Sequence, residues 1–185
     1  MTYTSDKRER LVEAAKRLIH SRGFTNTTLA DIAKESEVPL GNVYYYFKTK
    51  KDLAEAVLSQ RKKDLSKLYD SIEKLEDAQQ RIGAYLEDIL SRVEELTIYG
   101  CPLGSLCQEL NKDRTELADK ADEMMLFQLG WYQKQFTGMG RSDSHDLAIK
   151  LVTSVQGAIL LANISRDREI LIKEVYSLKE FVANL

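Results

Sequence analysis

The sequence predicts an all-α protein. Two prolines and nine glycines are all that punctuate its 185 residues, β-branched runs are few, and apolar residues recur three and four apart along most of the chain. Hydrophobic residues at 43% and charged residues at 30% describe a globular chain long enough to bury a core. No apolar stretch approaches the roughly 20 residues needed to cross a bilayer. The start MTYTSDKRER lacks the apolar segment of a signal peptide. A cytoplasmic protein with no membrane partner is expected.

Each element has a local reason. Ser5 and Asp6 can cap a first helix to about Ser21, with Leu11, Ala14, Ala15, Leu18 and Ile19 as its buried stripe. Gly23 ends that helix and Phe24 turns back toward the core. Thr28 has a side-chain oxygen suited to capping a second helix, on which Leu29, Ile32 and Ala33 follow at helical spacing. Ser36-Glu37-Val38-Pro39 breaks it, because a residue before proline is pushed out of helical geometry. A short third helix runs from Leu40 to about Phe47, with Val43 and Phe47 as its inward pair. A long helix then opens at Lys48 or Thr49 and continues to about Ser71 on Leu53, Val57, Leu65, Leu68 and Ile72. Further helices are expected at about 78–97, 102–110, 116–136, 144–164 and 168–182. Pro102 suits a first helical position, and Asp143 or Ser144 a cap. No Pro/Gly/Ser-rich linker interrupts the chain, so its halves are expected to be coupled rigidly.

The third helix carries the strongest functional signal. Neighbouring helical positions point about 100° apart, so Tyr44, Tyr45 and Tyr46 cannot all face one core. Some must face water or a partner. Two short helices joined by a tight turn, the second small at its tip and followed by Lys48, Lys50 and Lys51, describe a helix-turn-helix reader of DNA. Charge is distributed accordingly. The whole chain carries a net -2, yet residues 1–65 hold 13 Lys and Arg against 9 Asp and Glu, a net +4, leaving -6 for the remainder.

From about Lys7 to Leu58 the chain resembles the DNA-binding domain of the tetracycline-repressor (TetR) family, through RLVEAAKRLIHSRGFTNTTLADIAKESEV and GNVYYYFKTKKDL. The resemblance implies about nine helices, with a helix-turn-helix domain at 1–48 and a ligand-binding and dimerisation domain at 49–185. It implies a homodimer on a partly palindromic double-stranded DNA operator, released by an unidentified small, largely apolar effector. Thr28, Lys48 and Lys51 match the family's phosphate clamps, and Tyr45 and Tyr46 its phosphate-contacting aromatics. Gly41 lets the backbone approach DNA, Asn42 offers both donor and acceptor to a base edge, and Leu40 can touch a thymine methyl. Tyr44 either contacts a base or braces the first helix.

In the second half, Met124, Phe127, Gln128 and Trp131 form an aromatic and methionine-rich stretch that reads equally as plain core or as the lining of a cavity. Cys107 and Gln156 are the further candidates for ligand contact. The resemblance assigns the last two helices to a dimer interface, with Leu151, Ser154, Val155, Ala158, Val175 and Leu178 as candidate contacts. Cys101 and Cys107 have neither the spacing of a redox pair nor enough histidines nearby for zinc. No metal, no cofactor and no enzymatic activity are expected. The alternative reading is a DNA-binding protein without an effector, acting structurally or through a protein partner.

Overall fold

A computed structural model describes the backbone of residues 3–185 and side chains from residue 6 onward. Ten helices are present among the described residues, and no strand. They are α1 (Tyr3–Arg22), α2 (Leu29–Ser36), α3 (Leu40–Tyr46), α4 (Lys50–Ile72), α5 (Ala78–Ser91), α6 (Val93–Tyr99), α7 (Gly104–Leu110), α8 (Glu116–Gly138), α9 (Ser144–Ser165) and α10 (Arg168–Ala183). Of the proposed caps for α1, the Ser5 side chain lies outside the described residues and Asp6 sits within the helix.

Three boundaries differ from expectation. The helix predicted at 78–97 is two helices, because Arg92 adopts φ -111° and ψ 14° and ends α5. Its side chain turns back to Asp88 at 2.5 Å, and its carbonyl accepts from the Leu96 N–H at 3.0 Å to start α6. Pro102 precedes α7 in a turn and is not its first residue. Asp143, although it flanks α9, gives its carboxylate to Arg141 and makes no side-chain cap.

The chain forms two compact units. The first holds residues 1–65 and 105–123, the second residues 66–104 and 124–185, so the division falls inside α4, after the first residue of α7 and inside α8. This differs from the boundary at 48/49, because α7 and the start of α8 pack with the amino-terminal helices. In the first unit, the predicted stripe of α1 is buried together with Ile32, Val43, Phe47, Leu53 and Val57. The same unit is less basic than residues 1–65 alone, since 105–123 bring three Lys and Arg but six Asp and Glu, lowering the net from +4 to +1.

In the second unit α9 packs against α10 and α6, and α10 also against α5. The 22 residues of α9 are long and apolar enough to cross a membrane by length and composition, contrary to the sequence expectation. Leu147, Ala148, Leu151, Val155, Ala158, Ile159 and Ala162 are nevertheless buried inside this unit, as expected of a core helix. Its Asn163 donates to the carbonyls of Thr97 and Ile98, which closes the open end of α6.

Candidate functional site

The sequence builds a projecting α3 from short-range rules. Thr28 caps α2 reciprocally: its hydroxyl accepts the Asp31 N–H at 3.1 Å, and the Asp31 carboxylate accepts the Thr28 N–H at 2.9 Å. The Thr28 hydroxyl also donates to that carboxylate at 2.5 Å, and this bond, followed by the one from the Thr28 N–H, holds the Asp31 carboxyl below its ordinary range. Glu37 takes a left-handed conformation at φ 55° and ends α2, Val38 is buried in the core, and Pro39 opens α3. Arg10 of α1 donates to the Ser36 carbonyl at the end of α2. Thr49 and Asp52 repeat the reciprocal cap at the start of α4, at 3.0 and 3.1 Å.

On α3 only Val43 is buried, with Phe47 just beyond its end. Leu40, Gly41, Tyr44 and Tyr45 are exposed, Tyr45 to 72%, while Asn42 is half-buried. Tyr46 is half-buried and meets Tyr45 edge-on at 5.1 Å. Gly41 is unexplained from within. A Cβ built there meets nothing within 4 Å and its φ is ordinary, so neither packing nor backbone strain requires a glycine.

Thr28 and Lys48 are exposed in the same unit. Lys51 is exposed too, but its ammonium lies 2.8 Å from the Glu116 carboxylate at the start of α8. That bond and the charge of Glu116 raise the lysine above its ordinary pKa. All nine expected DNA contacts therefore fall in the first unit, on the α2 cap, the outer face of α3 and the entry to α4.

Sequence reasoning missed Glu109 of α7. Its carboxylate accepts the N–H groups of Phe24 at 2.7 Å and Thr25 at 2.6 Å, in the turn that delivers Thr28. Lys50 completes the arrangement, donating to the Thr25 carbonyl at 3.0 Å and lying 4.4 Å from the centre of the Phe24 ring. Gly23 at φ 83° ends α1, and an added Cβ would stand 3.1 Å from the same carboxylate. A glycine before an aromatic was the only signal, and it does not point to residue 109.

The expected ligand contacts belong to both units. Cys107 is buried in the first, and the other five lie in the second. Gln156 points to Cys101, its amide 3.4 Å from the thiol sulfur. Met124 is buried, and Gln128 donates to the Tyr85 hydroxyl. Phe127 and Trp131 line a groove of about 410 Å³ between α4 and α8, within the second unit. Tyr69 lies flat against Trp131 there, with ring centres 4.4 Å apart and planes 4° from parallel. Burial pushes the phenols of Tyr69, Tyr85 and Tyr132 well above their usual pKa.

Of the six expected dimer contacts, Leu151, Val155, Ala158, Val175 and Leu178 are buried inside their own subunit, and Ser154 is half-buried. The same two helices expose Ile149, Leu160, Leu161, Ile164 and Tyr176 instead.

The sequence model described as "Bacterial regulatory proteins, tetR family" matches residues 11–57, which run from α1 into α4. The HTH-type transcriptional repressor DhaR of Mycobacterium sp. (strain GP1) is 34% identical over 173 residues, 88% of this chain and 85% of that one. The chain belongs to the TetR family. A second family member, the HTH-type transcriptional regulator LmrA of Bacillus subtilis, is 31% identical over 169 residues, 88% of each chain. The crystal structure of reduced Escherichia coli NemR superimposes with a TM-score of 0.81 at 25% identity, covering 95% of this TetR-family chain and 96% of that one. The all-α architecture with an amino-terminal helix-turn-helix is that of TetR-family structures. The protein is a DNA-binding transcription regulator and not an enzyme.

Proposed function

We propose that this TetR-family regulator is a cytoplasmic repressor that binds a partly palindromic operator as a homodimer and releases it when a small, largely apolar effector occupies the second unit. The observation that carries the DNA reading is α3. It is a short helix with one buried residue, an outward face of tyrosines and a glycine its own fold does not use. Gly41 and Asn42 approach base edges, Leu40 and Tyr44 offer apolar contact, and Thr28, Tyr45, Tyr46, Lys48 and Lys51 take phosphates.

Several features support the rest. Two copies of α3 read successive major grooves when they stand about 34–36 Å apart, and the exposed apolar residues of α9 and α10 offer a surface for pairing. The α4–α8 groove offers the effector site, and α4 is a single helix that contributes residues to both units. Repression follows the name of the relative DhaR. An effector switches such a protein only through differential affinity for its DNA-bound and free geometries, typically worth ~1–3 kcal/mol.

Selection of bound fragments from the source genome, followed by footprinting, tests the proposal. The expected result is a partly palindromic site with half-sites one helical turn apart, protected at a stoichiometry of two chains. Absence of duplex binding at low ionic strength, or protection of a single half-site by a monomer, overturns it.

A further inference from the structure

We infer that the α4–α8 groove takes a planar aromatic cation. The inference rests on the reading of the second unit as the effector half, and it names the chemistry of the ligand.

The groove is shaped for another molecule. Gly130 lies in the middle of the 23-residue α8, where glycine costs about 1 kcal/mol against alanine. A Cβ there meets nothing within 4 Å, so packing inside the subunit gives no reason for that cost. The missing side chain leaves a notch in the groove wall. One turn earlier on the same face, Phe127 is 40% exposed. Beside the notch, Tyr69 and Trp131 are at least nine-tenths buried and stack flat against each other, giving the groove an aromatic floor. A volume of about 410 Å³ suits a small fused-ring compound.

Charge then selects the sign. Three charged side chains line the groove: Asp70 and Glu73, three apart on α4, and Lys134 on α8. Glu73 and Lys134 neutralise each other at 2.8 Å, and that bond keeps the Glu73 carboxyl below its ordinary range. Asp70 has no ion pair among the described residues. The lining therefore carries one uncompensated negative charge beside aromatic rings, whose π-faces also attract cations. An anion would be repelled. A neutral apolar ligand would cover Asp70 without compensating it.

The test uses the full-length protein. Trp131 is the single tryptophan of the chain, so its fluorescence reports on the groove. N-methylquinolinium and 1-methylnaphthalene have nearly the same shape and differ in charge; each is titrated by calorimetry and by tryptophan fluorescence. The expected result is that the cation binds about tenfold more tightly. Asp70→Asn removes that preference and leaves the neutral compound unaffected, and Gly130→Leu, with helicity checked by circular dichroism, excludes both. Equal or tighter binding of the neutral compound overturns the cationic class while leaving the effector reading intact. Binding of neither compound, or full binding to Gly130→Leu, overturns the groove as the site. If the cation binds as expected but a saturated protein still holds its operator, the ligand class stands and the effector reading is the part that fails.

Discussion

The Glu109 carboxylate accepts the backbone N–H of Phe24 and that of Thr25, its sequence neighbour. These two donors belong to the turn between α1 and α2, so a residue of α7 fixes the approach to the Thr28 cap. Hydrogen bonds to a charged acceptor contribute roughly 1.5–3 kcal/mol. Glu109→Gln puts an amide donor where an acceptor stood, and the melting temperature is expected to fall by about 2–6 °C in calorimetry. The pH dependence has a definite sign. Burial raises the Glu109 pKa, but the bonds from Thr25 and Phe24 and the Lys50 charge outweigh it and leave the value below its ordinary 4.5. A carboxyl with a lowered folded pKa contributes stability that is present above the unfolded value and lost as pH falls through the folded one. Below about 4.5 the wild type should therefore lose stability faster than Glu109→Gln, and parallel acid-denaturation curves would refute the assignment.

The Lys51–Glu116 pair sets up a competition. DNA phosphates must draw Lys51 away from a carboxylate in the same unit. Lys51→Ala should weaken binding to specific and random duplexes alike and reduce the slope of log affinity against log salt by about one. Glu116→Gln should do the reverse and tighten both complexes, because it frees the lysine without adding a contact. Fluorescence anisotropy over a range of salt concentrations measures all three proteins.

Gly41 separates folding from reading. Alanine meets no neighbour at this position and favours the helix by up to about 1 kcal/mol, so Gly41→Ala should match or exceed the wild type in thermal stability. Its methyl group would stand between α3 and the base edges, and operator affinity should drop at least about tenfold. Asn42→Ala should instead bring specific and random affinities together, since one good base contact discriminates by about 1–3 kcal/mol. A Gly41→Ala protein that binds its operator normally would remove the reason offered for this glycine.

What the sequence disclosed was what neighbouring residues decide. The Thr28 cap, the inward Val43 and Phe47, and the stop at Val38-Pro39 depend on residues a few places apart, and all are found as expected. The break at Arg92 carries no proline or glycine, so the apolar repeat runs through it unbroken. Glu109 acts on residues 84 and 85 positions away, where periodicity is silent. The same limit explains the boundary at 65/66: α7 and the start of α8 join the first unit through long-range partners such as Glu109 and Glu116. On α9 the apolar residues go nearly all the way round the helix. A periodic count finds such a helix but cannot apportion its faces between the subunit's own core and a second chain.

That apportioning yields the last prediction. Leu151 is fully buried in its own subunit, whereas Leu161 and Ile164, on the same helix, are 56% and 69% exposed. Leu151→Ala should cost about 2–5 kcal/mol through the cavity it leaves, without changing assembly at temperatures where the variant is folded. Leu161→Asp combined with Ile164→Asp removes no core contact, so helicity and melting of the isolated subunit should persist. Two carboxylates facing two others across a paired α9 would be desolvated without partners, and the double variant is expected to sediment as a monomer and to lose operator binding. Analytical ultracentrifugation of both proteins decides between the two roles. A dimeric double-aspartate variant would place the self-association surface away from α9.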